Sequence, residues 1–160
     1  NLSVENGAHI VTQQFLDSFL ILSGSGITFG LVIAMLFAAK SKQYKALGKV
    51  AAFPALFNVN EPVVFGFPIV MNPVMFLPFI LVPILAAVVV YGSIAIGFMQ
   101  PFSGVTLPWS TPAIISGFMV GGWQGAIVQV IVLGISTLVY FPFFKFQDKL
   151  AYANELEAEK

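Results

Sequence analysis

Cysteine is absent from the chain, and so is arginine. Without cysteine there is no disulfide framework, no thiolate nucleophile and no thiolate metal site. Without arginine there is no bidentate fork for an anionic substrate, and zero net charge argues against nucleic acid. Histidine is reduced to His9, which reads as a loop or interfacial residue and offers no zinc site. No metal or cofactor is expected. Charge of either sign is scarce. Charged residues make up 9% of the chain, against about 25% in a soluble domain. The chain is also 58% hydrophobic, with a mean hydropathy of +0.93. It cannot cover a water-soluble fold with polar surface, which leaves an integral membrane protein.

The polar residues at the start carry no basic n-region, so no signal peptide is read there. The expectation is the C-terminal piece of a longer polypeptide, with residues 1–14 as an entry loop. Residues 15–39 then form a first span, because about 20 residues cross a ~30 Å hydrocarbon core. Inside it, Gly26 and Gly30 make a small-xxx-small face for close helix packing. The alternative is a helix broken near Gly24, with its freed backbone lining a cavity. Lys40, Lys42, Lys45 and Lys49 follow as a cytoplasmic loop by the positive-inside rule.

Residues 50–72 are too interrupted for a straight span. Two short apolar runs flank Asn58-Val59-Asn60-Glu61-Pro62, which reads as a re-entrant helical hairpin around a polar tip. Glu61 is the only charged side chain between Lys49 and Lys145. An ionisable residue at such a depth is a functional-site hypothesis by default. Asn60 suits an N-cap and Pro62 the first helical turn, where the helix dipole favours the Glu61 carboxylate. A capped helix start that merely tolerates an acid is the plainer account of the same residues.

Residues 73–99 form a second span, with Pro78 and Pro83 expected to kink it or mark its beginning. A second polar interruption, residues 100–112, contains Pro108-Trp109-Ser110-Thr111-Pro112. Trp109 reads equally as an interfacial belt residue or as a platform on which the C–H face of a sugar stacks. Residues 113–144 form the third span, with Trp123-Gln124 polar enough to interrupt it and Gln129 facing the bundle. Lys145 and Lys149 return the chain to the cytoplasm, and residues 146–160 form a tail with a short surface helix. The fold class is therefore an all-α membrane protein of about three transmembrane helices plus the hairpin.

The run Asn58-Val59-Asn60-Glu61-Pro62-Val63-Val64-Phe65-Gly66, with Pro68-Ile69-Val70-Met71-Asn72-Pro73 after it, resembles a known family. That family is the IIC permease of the bacterial phosphotransferase system, lactose/cellobiose (diacetylchitobiose) type. Asp17-Ser18-Phe19, Gly24-Ser25-Gly26, Lys40-Ser41-Lys42-Gln43, Val105 to Pro112 and Tyr140 to Lys145 resemble it too, in order. The resemblance implies that residues 15–145 are a membrane-embedded sugar-binding region. A β-linked disaccharide would be bound and translocated for phosphorylation by a cytoplasmic IIB protein, which carries the phosphocysteine. The chain would then be the membrane subunit of a phosphoenolpyruvate-dependent sugar phosphotransferase. The resemblance implies Glu61 at the sugar hydroxyls and Trp109 at the ring, with Asn58, Asn60, Ser110 and Thr111 as further substrate-binding candidates. It also implies a homodimer in the bacterial inner membrane, with the C-terminus cytoplasmic. The residues by themselves leave open a proton- or ion-coupled secondary transporter, whose broken helices and midplane acid are similar. A non-transporting membrane interaction protein is a further alternative.

Overall fold

The computed structural model describes residues 15–22, 24–67, 69–100 and 107–158. The expected entry loop with His9, and residues 101–106 of the second interruption, lie outside the described residues. Among the described residues every regular element is helical. A π-helical turn (Leu16–Leu20) precedes α1 (Phe29–Ala38), α2 (Lys42–Leu56) and α3 (Glu61–Gly66). A 3-10 turn (Ile69–Met71) then leads into α4 (Pro73–Ala95) and α5 (Ile115–Ala158). α4 and α5 are each long and apolar enough to cross a membrane, while α1 is apolar but shorter.

The first span expected over residues 15–39 is not one helix. It breaks between the π-helical turn and α1, where Gly24 (φ 84°) and Gly26 (φ 79°) take left-handed conformations that cost glycine little. Ile27 follows at φ 50°, a conformation a β-branched residue holds only when its surroundings impose it. Those surroundings are hydrogen-bond donors. A helix break in hydrocarbon strands carbonyls that water cannot reach. Here Gln129 Nε2 donates to Ser18 O (2.6 Å), Asn60 Nδ2 to Ser25 O (2.7 Å), Tyr140 Oη to Gly26 O (2.7 Å) and Ser136 Oγ to Ile27 O (2.5 Å). Gln129, Ser136 and Tyr140 are spaced seven and four residues apart, which puts them on one face of α5.

Close packing at these glycines is present as well. A methyl group on Gly26 would lie 2.3 Å from the Phe79 ring. One on Gly30 would lie 2.4 Å from both Ser136 Oγ and the Thr137 amide nitrogen. Because part of that obstacle is backbone, Gly30→Ala must push α1 away from α5. We expect it to cost about 2–3 kcal/mol, the upper part of the overpacking range. Denaturant or thermal unfolding of the full-length protein measures this, and an unchanged midpoint would contradict the contact.

Further differences concern boundaries. The lysine segment expected as a loop is mostly helix: α2 starts at Lys42 and runs through Pro54 to Leu56. Lys42, Lys45 and Lys49 fall on one exposed helical face. The chain turns at residues 57–60 and returns through α3, so the two limbs are unequal rather than matched. α4 opens on Pro73, with Asn72 Oδ1 accepting from Val74 N (3.0 Å), and continues through Pro78 and Pro83. It stops at Ala95 rather than Met99, and Gly97 (φ 78°) turns the chain out.

α5 is interrupted at Gly122 (φ 65°, ψ −158°), next to the expected Trp123-Gln124. Residues 115–121 fold back on the turns that follow. A methyl group on Gly125 would be 2.3 Å from the Gly117 carbonyl oxygen, an approach only glycine permits. Past Lys145 the helix does not stop. The expected tail is a continuation of α5 to Ala158, and Asp148 in it is buried.

Candidate functional site

The polar tip is assembled from two chain interruptions. Asn58 sits between α2 and α3 at φ 63°, a left-handed position that asparagine tolerates better than most residues. Its Nδ2 donates to Trp109 O (2.6 Å) and Thr111 O (3.1 Å). The hairpin tip is therefore tied directly to the Pro-Trp segment, which precedes α5. Asn60 occupies the N-cap position of α3, but its side chain makes no capping bond. The capping bond expected there is not made; the side chain is turned toward residue 25, where its Nδ2 donates to Ser25 O. The same side chain fills the space over Gly24, where an added methyl would lie 2.3 Å from Asn60 Cγ. Asn58 and Asn60 are both buried.

Glu61 is the first residue of α3, with Pro62 behind it in the first turn. It is exposed, and among the described residues it has no hydrogen-bond or ion-pair partner. Trp109 is 66% exposed, too much for an indole used as core packing. Ser110 and Thr111 are half-buried. Thr111 Oγ1 donates to Pro108 O (2.6 Å) and Thr111 N to the same oxygen (2.9 Å), so that hydroxyl holds the local turn. The six candidates thus divide. Asn58, Asn60 and Thr111 fix backbone to backbone, the Glu61 carboxylate and Trp109 indole are left exposed, and Ser110 lies half-buried between the two groups.

Next to this tip, Gln129 closes the fold-back at the start of α5. Its Oε1 accepts from Ile114 N (2.5 Å) and Gly117 N (3.1 Å), and its Nε2 donates to Ser116 Oγ (2.9 Å) as well as Ser18 O. Ile114, at φ 72°, is a second β-branched residue in a left-handed conformation. Its amide bond to Gln129 accounts for what holds it there. Sequence reasoning placed Gln129 toward the bundle but missed Ser136 and Tyr140, although polar residues seven and four apart in an apolar helix are a readable signal.

Sequence reasoning also missed the carboxylates at the far end of the chain. Asp148 accepts from Lys40 N (Oδ1 3.1 Å, Oδ2 2.9 Å) and Ser41 N (Oδ1 3.0 Å). Glu155 accepts from Ser41 Oγ (2.7 Å), Lys42 N (3.0 Å) and Gln43 N (3.1 Å). The seven-residue spacing of the two acids puts them on one helical face, which is the signal that would have found them. The Ser41 hydroxyl, followed by the Gln43 and Lys42 amides, holds the Glu155 carboxyl below its ordinary value of 4.5. A lowered folded-state pKa gives stability that is present above 4.5 and lost as the pH falls through the folded value. Hydrogen exchange at Lys42 and Gln43, corrected for intrinsic rates, should therefore show full protection at neutral pH and loss only below that range. Protection at these two amides that is already absent at neutral pH would contradict the contact. Among the described residues no group of three or more His, Cys, Asp or Glu side chains is placed to hold a metal ion.

Comparison with known proteins adds the context. The sequence model described as "Phosphotransferase system, EIIC" matches residues 2–83. The lichenan permease IIC component of Bacillus subtilis (strain 168) is 45% identical over 152 residues, covering 92% of this chain and 34% of that protein. The cellobiose-specific EIIC component of Geobacillus stearothermophilus is 45% identical over 149 residues, covering 92% of this chain and 33% of that protein. The crystal structure of ChbC, the IIC component of the N,N'-diacetylchitobiose-specific phosphotransferase system, superimposes with a TM-score of 0.88 at 40% identity. It covers 91% of this chain and 34% of that one. The chain spans about a third of the length of the curated relatives it matches.

Proposed function

The chain belongs to the phosphotransferase-system EIIC family, and we propose that it forms the sugar-holding part of a membrane permease for β-linked disaccharides of the cellobiose, lactose or chitobiose type. The observation that carries this reading is the tie from Asn58 to the Trp109 and Thr111 carbonyls. It holds a carboxylate with no partner among the described residues and an exposed indole on neighbouring segments. A carboxylate accepts hydrogen bonds from sugar hydroxyls as charge-assisted bonds, the stronger class. An indole gives the apolar face of a pyranose a flat surface. Glu61 binds and orients the hydroxyl to be phosphorylated, and Trp109 stacks on the ring. Ser110 and Thr111 line the same segment, and Asn58 and Asn60 hold the tip in place. The phosphoryl group arrives from a cytoplasmic IIB partner. The remaining two thirds of a full-length permease supply the other walls of the site and the homodimer contacts.

For topology, we take the basic end of the molecule as cytoplasmic. Lys40, Lys42, Lys45 and Lys49 lie at the same end as Lys145 and Lys149, because Lys40 N is 2.9 Å from the Asp148 carboxylate. The broken first segment, α4 and α5 then give three crossings, α2 and α3 enter and return as the hairpin, and the C-terminus lies on the cytoplasmic side.

An ion-coupled mechanism is less well served by this arrangement. In broken-helix transporters, unwound carbonyls bind the coupling ion. Here the Ser18, Ser25, Gly26 and Ile27 carbonyls are taken by side-chain donors. The deciding experiment is uptake by vesicles holding the full-length permease, with ion gradients collapsed and phosphoenolpyruvate and the soluble carriers supplied. Uptake should persist and should stop when the carriers are omitted. Uptake that follows the gradient instead would overturn the proposal.

A further inference from the structure

We infer that Asp148 and Glu155 are positioning residues for the sugar site, acting on Glu61 through the whole length of α2. The inference rests on the reading of Glu61 and Trp109 as sugar contacts. The first amide groups of a helix have no partner within it and are ordinarily satisfied by a local cap. Ser41 is the local cap of α2, but its bond to Tyr44 N is long, at 3.4 Å. The Lys40, Ser41, Lys42 and Gln43 amides are instead held by the two carboxylates of α5.

The distinction has a mechanical consequence. A local cap stabilises a helix without fixing it to anything else, whereas a cap supplied by another helix fixes the two relative to one another. At its other end α2 leads into Asn58, which is bonded to residues just before α5. Between these points α2 is a rod of 15 residues, Lys42–Leu56, roughly 20 Å long at ~1.5 Å per residue. One helix thus braces both ends of the rod: its late turns hold the root and the segment before it holds the tip. Asp148 is only 4% exposed, so its carboxylate bonds are not exchanged freely with water. The Tyr44–Phe67 stack (centroids 4.4 Å) and the Phe67–Phe144 contact (6.1 Å) carry α3 along with the same brace. Freeing the root lets the tip drift, and a displacement of about 1 Å is enough to degrade a positioned contact severely.

The test uses the full-length permease with Asp148→Asn, Ser41→Ala, Glu61→Gln and, as a stability control, Val90→Ala in the core of α4. Asp148→Asn keeps the shape but turns an amide N–H toward the amides of Lys40 and Ser41. It should speed hydrogen exchange at those two residues and weaken sugar binding about tenfold, as the loss of a charge-assisted contact implies. Ser41→Ala removes the hydroxyl bond to Glu155 together with the long one from Tyr44 N, and should weaken binding by about threefold, a fraction of the same effect. This keeps the inference testable if Asp148→Asn folds poorly. Val90→Ala should lower the unfolding temperature and leave affinity unchanged. Affinity that stays at the native level in both root variants while Glu61→Gln abolishes binding overturns this inference alone. So does a loss of affinity that merely tracks unfolding temperature, with Val90→Ala on the same line. Normal binding by Glu61→Gln overturns the sugar-site reading and this inference together.

Discussion

Replacing Glu61 with glutamine should weaken sugar binding by the intact permease about a hundredfold, equivalent to roughly 2.7 kcal/mol. The magnitude follows from the chemistry of the pair. A hydrogen bond to an ionised group contributes ~1.5–3 kcal/mol, about twice a neutral one, and a carboxylate can accept from two hydroxyls at once. Glutamine keeps the length and one acceptor oxygen, so the loss reports charge rather than shape. The fold should not respond, because Glu61 is exposed and has no partner among the described residues. Calorimetric titration with a β-linked disaccharide, alongside a thermal melt, separates the two effects. Native affinity in a folded Glu61→Gln permease would remove Glu61 from the site.

The largest effect on stability should come from Gln129→Leu. Leucine fits the volume and suits the apolar helix, so a site governed by packing alone would tolerate it. The buried amide, however, joins Ile114 N, Gly117 N, Ser116 Oγ and Ser18 O. Removing it strands two donors and an acceptor of the backbone, at ~1–3 kcal/mol for each group left unpaired. We expect a total of about 3 kcal/mol or more, since nearby groups find partial substitutes. Unfolding in mild detergent measures it. A cost below 1 kcal/mol would show that the fold-back at Gly122 does not depend on Gln129.

How much of this was legible in the sequence depended on distance along the chain. The hairpin tip was readable because its signals are local: polar residues in an apolar run, with proline just inside a helix start. The interruption near Trp123 was readable for the same reason, although the residue that turns is Gly122. The break before α1 was not decided by its own residues. Ser-Gly-Ser-Gly suits a packed helix and a broken one alike. The choice was made by distant donors, three on α5 across sequence separations of 109 to 114 residues and Asn60 across 35. Asp148 and Glu155 were read as part of a solvated tail because their partners are backbone amides, which leave no mark in composition. Asn60 shows the converse: a strong local signal for capping yielded to a distant carbonyl.

The division of the candidate site has the same origin. Sequence reasoning put Glu61 and Trp109 first and Asn58, Asn60, Ser110 and Thr111 after them, and the bonding pattern separates holders from exposed groups. Glu61 and Trp109 stand out because the structure leaves their polar and aromatic surfaces unused. Asn58 and Asn60 instead donate their amides to backbone carbonyls.

The carbonyls of the broken segment also constrain how the protein is made. Residues 18–27 leave the ribosome more than a hundred residues before Gln129, Ser136 and Tyr140 do. During that interval the Ser18, Gly26 and Ile27 oxygens lack their α5 donors, so we expect the segment to enter the bilayer with those oxygens still bonded to its own amides as helix. The break then forms late in biogenesis, when α5 arrives and trades side-chain donors for helical ones. Pulse-labelled nascent chains stalled before residue 129 should therefore carry a longer first helix than the finished protein.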